Sequence, residues 1–87
     1  MVTVVIPSPL RRFSGGVERV EVEGASLRQV FENLGRHYPE LRDRIVYDDD
    51  LRPGIAVSID DEITEDGLLA RVRDGSVVHI MPAMGGG

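Results

Sequence analysis

The segment Ser26-Leu27-Arg28-Gln29-Val30-Phe31-Glu32-Asn33-Leu34 decides the fold. Its apolar residues Leu27, Val30, Phe31 and Leu34 fall at i, i+3, i+4 and i+7, one stripe on the side of a helix. Ser26 with Gln29 three residues on has the spacing of a capping box, which satisfies backbone N–H groups at the helix start. Gly35 weakens the last turn, and Pro39 prevents continuation past Tyr38. A single stripe of this kind cannot bury itself. The flanking sequence must supply a sheet.

Upstream, Val17-Glu-Arg-Val-Glu-Val-Glu23 alternates, with Val20 and Val22 on one face and Arg19, Glu21 and Glu23 on the other. That period belongs to a half-exposed strand. Before it, Val2 to Pro7 is nearly all β-branched and reads as a strand buried on both faces, ended by Pro-Ser-Pro. A loop carrying Leu10, Arg11, Arg12 and Phe13, then Gly15-Gly16, turns the chain between them into an antiparallel hairpin. Leu10 and Phe13 read as packing residues of that hairpin.

Downstream, Pro39 to Arg44 suits a further short turn of helix, and Asp48-Asp49-Asp50 with Arg52-Pro53-Gly54 reads as a polar loop. Ile55, Val57 and Ile59 alternate with Ala56 and Ser58 in a third strand, turned at Asp60-Asp61, and Glu62-Ile63-Thr64 is a short return strand. Glu65 to Asp74 is irregular, with Leu68, Leu69 and Val72 expected in the core. Gly75 opens the last strand, Ser76 to Met81, and Pro82 closes it.

The order is β-β-α-β-β with a short strand before the last, an α+β class. The economical packing is a mixed sheet of four to five strands on one main helix, with the first and last strands parallel neighbours. This is the β-grasp arrangement of ubiquitin-like domains, expected over residues 1–82, with residues 83–87 a flexible tail.

Composition narrows the chemistry. At 87 residues there is room for one core. No cysteine is present, so disulfides, thiolate metal sites and cysteine nucleophiles are excluded. All ten basic residues are arginine, which excludes a Schiff base, a P-loop lysine and any side-chain amine that could be acylated. The net charge of −5 argues against nucleic acid and anionic membrane as partners. No apolar run has transmembrane length, and no signal peptide opens the chain, so the expected location is cytoplasmic.

The last residues, Pro82-Ala83-Met84-Gly85-Gly86-Gly87, are by themselves either a merely disordered end or the segment that carries the chemistry. Glycines without Cβ atoms let a partner close on the backbone from either side, so Gly85 and Gly86 can thread a narrow slot and deliver the Gly87 carboxylate. Gly15-Gly16 is a hairpin turn rather than a phosphate-cradling loop.

The opening Val2-Thr3-Val4-Val5-Ile6-Pro7, then Leu10-Arg11 and Gly15-Gly16, then Asp74-Gly75 before a β-branched strand, Pro82 and a glycine ending, resemble the ubiquitin-like sulfur carriers of the MoaD/ThiS family. Within it, the chain looks most like the branch that holds the mycobacterial cysteine-biosynthesis carrier. Gly85 is a third glycine beyond the family's pair, and Asp60-Asp61 stands where many relatives carry Asn-Gly or Asn-Asp. The resemblance implies a protein cosubstrate rather than an enzyme, with no bound cofactor. A ubiquitin-activating-like enzyme, using ATP and Mg²⁺, adenylates Gly87, and a sulfur donor converts it to a thiocarboxylate. A sulfur-accepting biosynthetic enzyme then takes the sulfur for cysteine, molybdopterin, thiazole or another sulfur metabolite. The free carrier is expected to be a monomer.

One surface and two other features complete the reading. With Val78 and Ile80 facing the helix, Val77, His79 and Met81 share the outer face with Val5. Together with Met84 they form either a docking surface beside the tail or an ordinary sheet face. Asp48 to Asp50 and Asp60 to Glu62 lack calcium-loop spacing and read as solvated loops. Arg11 and Arg12 are solubilising charges or partner contacts. Two rival functions remain, a modifier joined through Gly87 to lysines of other proteins, and a binding module with an inert tail.

Overall fold

The structure is a computed structural model that describes residues 1–82. The expected tail, 83–87, lies outside the described residues, and with it Met84, Gly85, Gly86 and Gly87. The chain runs β1 (Val2–Val5), a 3-10 helix (Ser8–Phe13), β2 (Arg19–Val22), α1 (Leu27–His37), α2 (Pro39–Ile45), β3 (Val46–Tyr47) and β4 (Asp50–Leu51). It continues through β5 (Ile55–Ile59), β6 (Glu62–Ile63), a short 3-10 turn (Gly67–Leu69) and β7 (Val77–Pro82). Five strands form one mixed sheet in the order β2-β1-β7-β5-β6. β1 and β7 are parallel neighbours, with Thr3 opposite Val77 and Val5 opposite His79. The β-grasp expectation therefore holds.

The stripe Leu27, Val30, Phe31 and Leu34 is buried on the sheet. It meets Val2, Val4, Val22, Val57, Val78 and Ile80, all from the sheet's inner face. The Ser26 hydroxyl accepts from the Gln29 N–H at 3.3 Å. The Gln29 side chain reaches one residue further back than a standard box, accepting from the Ala25 N–H at 2.8 Å. Helix α1 stops where Pro39 requires, with Tyr38 as its C-cap.

Several expectations change in physical detail. β1 is buried on one face only, because Thr3 and Val5 lie on the outer face and remain half exposed. β2 begins at Arg19, and Val17 is exposed in the approach to it. Gly15 and Gly16 do take left-handed angles, but they end a connection that includes a 3-10 helix, so the hairpin is not a tight one. Pro39 starts a true second helix, α2, whose Leu41 and Ile45 join the core. Gly35, read as a weak point, is where α2 packs closest: a Cβ there would lie 3.0 Å from the Arg42 Cβ. The polar loop at Asp48 contains a small hairpin, β3 with β4, turned by Asp48 and Asp49 at φ 53° and 60°. Leu68 and Val72 enter the core, whereas Leu69 is 77% exposed on the outer side of its 3-10 turn.

Candidate functional site

β7 is the strand that leads to the chain's last residues, so its surroundings define the root of the tail. Its alternation is resolved cleanly. Val78 and Ile80 are buried against the helix, and Val77, His79 and Met81 stand half exposed on the other face. Register carries this face across the sheet. His79 lies between Val5 on β1 and Ser58 on β5, and Ser58 in turn faces Ile63 on β6. Met81 lies opposite Ala56.

These residues line an open groove of about 450 Å³ with Val5, Pro7, Ser58, His79, Met81 and Ile63 on its walls, and Arg11 and Asp61 as its charges. Ile63 is 66% exposed, unusual for a large apolar side chain on a strand. Arg11 is fixed there. Its Nε donates to the Ile6 carbonyl at 3.0 Å, and its guanidinium lies 3.8 Å from Glu18. Pro7 and Met81 belong to the end of the groove from which β7 runs out, since β1 and β7 are parallel. The groove thus opens beside the tail root.

Of the docking residues named from sequence, the structure brings together Val5, His79 and Met81. Val77 shares the face but lies next to Thr3, toward the start of β7 and outside the groove. Met84 and the three glycines lie outside the described residues. Sequence reasoning put Ile63 on the return strand without joining it to the docking face, and read Arg11 only as a solubilising charge or partner contact. The alternation Ser58-Ile63 across the Asp60-Asp61 turn was the available signal for Ile63.

The turn itself is built into the sheet. Asp60 and Asp61 take φ 50° and 73°, the left-handed pair that a two-residue hairpin requires. The Asp60 carboxylate accepts from the Val77 N–H at 2.9 Å and the Ser76 hydroxyl at 2.8 Å, which ties the turn to the start of β7. Those two hydrogen bonds, with Arg73 nearby, hold its pKa below the ordinary 3.8. A neutral acid would lose these charge-assisted bonds.

Ser58, His79 and Asp61 line one groove, and among the described residues no hydrogen bond links the imidazole to the hydroxyl or the carboxylate. Among the described residues no three His, Asp or Glu side chains are placed to hold a metal ion. No described helix is long and apolar enough to cross a membrane.

Comparison with known proteins matches this geometry. The chain is 34% identical over 93 residues to the sulfur carrier protein CysO of Mycobacterium tuberculosis, covering 99% of this chain and 98% of that protein. Its fold superposes on one chain of the Amycolatopsis orientalis BexX/CysO complex with a TM-score of 0.94, at 35% identity, over all of this chain and all of that one. The crystal structure of M. tuberculosis CysO gives 0.87 at 30% identity, over 97% of this chain and all of that one. The ThiS family model matches residues 4–87, from β1 through the groove to the last glycine. By fold, by sequence and by the extent of that match, the chain belongs to the ThiS family.

Proposed function

We propose that this chain is a sulfur carrier protein whose reacting group is the Gly87 carboxylate. The observation that carries the reading is the ThiS family match, which runs to Gly87 itself and so includes the glycine ending. The full-length likeness to the mycobacterial sulfur carrier supports it.

The chemistry follows from what a carboxylate lacks. It is a poor electrophile at neutral pH, so a ubiquitin-activating-like partner joins it to AMP: a carboxylate oxygen attacks the α-phosphate of ATP and pyrophosphate leaves. Sulfide sulfur, supplied by a donor, then attacks the acyl carbon, and AMP leaves with the bonding pair. The product is a thiocarboxylate at Gly87, whose sulfur attacks the substrate of a sulfur-accepting biosynthetic enzyme; water then cleaves the acyl C–S bond, which leaves the sulfur on the product and returns the carboxylate. ATP and Mg²⁺ belong to the partner's reaction. The chain is a cosubstrate.

Affinity must come from the folded surface. A backbone-only tail makes few specific contacts and loses about 1–2 kcal/mol per residue on ordering. The groove formed by Val5, His79, Met81 and Ile63 sits beside the tail root and offers apolar area for docking. A relative of known structure forms a complex with BexX, which supports docking of a folded carrier on a partner. The test is ATP–pyrophosphate exchange by the activating enzyme of the same genome. Exchange that depends on this chain, and disappears when Gly86 and Gly87 are deleted, is expected. Exchange by the truncated chain would overturn the reading, and adducts on lysines of other proteins would favour a modifier.

A further inference from the structure

The chain has a net charge of −5, yet its charge is not spread evenly. The 3-10 helix and α2 together hold Arg11, Arg12, Arg42 and Arg44 against Glu40 and Asp43, so this corner is positive on an otherwise acidic chain. Two of these arginines stack on one aromatic ring. The Arg44 guanidinium carbon lies 4.6 Å from the centre of the Phe13 ring and that of Arg12 lies 5.8 Å from it, both within cation–π range. The two guanidinium carbons are therefore no more than about 10 Å apart, close enough for their charges to repel. Among the described residues neither Arg12 nor Arg44 forms an ion pair, whereas Arg11 lies 3.8 Å from Glu18 and Arg42 lies 3.7 Å from Asp43. Glu40 and Asp43 border a cleft with Arg44 and Arg52 without pairing to Arg44.

Topology sets this corner at the root of the tail. β1 runs parallel to β7, so the 3-10 helix that follows β1 begins beside the end of β7. Pro7 and Arg11 line the groove together with Met81, and Arg12 and Phe13 follow directly on that wall. Phe13 is partly buried against the core, and α2 brings Arg44 over its ring. A ring anchored in this way orders two long side chains before any partner arrives. Less conformational entropy is then lost when their guanidiniums bind.

We infer that Arg12 and Arg44, held on Phe13, form a steering surface for an acidic patch on the activating enzyme, beside the slot that takes the tail. The identity of the partner comes from the sulfur-carrier reading above; the surface rests on the contacts alone. An acidic partner repels most of this acidic chain and attracts its one positive corner. Approach is then productive in a single orientation, the one that presents the tail root first. A partner carboxylate that lands between the two guanidiniums relieves their repulsion and accepts charge-assisted hydrogen bonds from them. The apolar groove next to it supplies the burial that slows release. The arginine pair thus sets the association rate and the groove sets the dissociation rate.

Stopped-flow binding of the full chain to the activating enzyme, from low to high salt, tests the steering. Arg12→Gln with Arg44→Gln removes both charges, and Arg12→Lys with Arg44→Lys keeps them. Arg28→Gln with Arg36→Gln removes the same charge from α1, which packs on the sheet face opposite the groove. The corner glutamine pair should associate about tenfold more slowly than the parent at low salt, with the difference closing at high salt. The lysine pair and the α1 pair should stay within about twofold of the parent, and dissociation should change little in all of them. Equal slowing by the two glutamine pairs would reduce the effect to net charge and overturn the inference. So would a parent association rate that ignores salt, or a lysine pair as slow as the corner glutamine pair, which would assign the loss to packing. A parent chain that supports no ATP–pyrophosphate exchange would overturn the carrier reading and this inference with it. Exchange by the parent beside parent-like association of the corner glutamine pair would overturn this inference alone.

Discussion

Replacing Met81 with aspartate separates docking from folding. The Met81 side chain is partly exposed on the outer sheet face, opposite Ala56, and its strand neighbours Val78 and Ile80 carry the core contacts. Full burial of a methionine side chain contributes about 1.5–3 kcal/mol, so the exposed part, about a third or less, leaves at most about 1 kcal/mol for a partner to gain. An unpaired carboxylate in its place adds a desolvation cost of about 1–3 kcal/mol at the interface. The sum is about 1–4 kcal/mol, which weakens Kd by roughly 5-fold or more at 1.4 kcal/mol per decade. In the free chain the change costs no more than about 1 kcal/mol of strand preference, a fall in Tm of about 4–8 °C. Titration calorimetry against the activating enzyme, with a parallel thermal melt, reads both numbers. Val77→Asp, on the same face but outside the groove, should weaken binding less. An unchanged Kd for Met81→Asp would place docking elsewhere. A large loss of stability would show that Met81 supports the core.

Three further outcomes follow from the same structure. Phe31→Ala empties the most voluminous fully buried position, and should cost about 3–5 kcal/mol in a denaturant melt; a loss below about 1 kcal/mol would contradict the packing. Because Asp60 has its pKa lowered in the fold, its contribution to stability is present above about pH 3.8 and is lost as pH falls through the lowered folded value. Asp60→Asn should therefore melt below the parent at neutral pH, with the gap closing in acid, and a gap independent of pH would refute the linkage. Gly86→Val should leave the melt unchanged yet slow activation, because a β-branched side chain resists close backbone approach; parent-like kinetics would remove the narrow-slot argument.

The parts of this fold that were legible in sequence are those governed by local periodicity. Leu27, Val30, Phe31 and Leu34 repeat at helical spacing, Ser26 and Pro39 bracket them, and β7 alternates between core and outer face. Shorter elements carry no period to read. β3 and β4 have two residues each, and their turn uses Asp48-Asp49, which signals a hairpin less clearly than Asn-Gly. Leu69 follows the core residue Leu68 on a 3-10 turn, whose three-residue period points neighbouring side chains apart. The groove needed more than one strand. Val5, His79 and Ile63 become neighbours only through the parallel β1–β7 pairing and the β5–β6 register, so sequence could name the face but not its extent. The glycine ending lies outside the described residues, and its reading rests on residue type and on the extent of the family match.

The central claim is that sulfur is carried at Gly87. The direct measurement is the intact mass of the chain after incubation with its activating enzyme, ATP and a sulfur donor. The account predicts a gain equal to the exchange of one oxygen for one sulfur, located by fragmentation on Gly87 and absent when Gly87 is deleted. An unchanged mass beside an enzyme that thiolates another carrier in the same assay would contradict it, as would the same gain on the shortened chain.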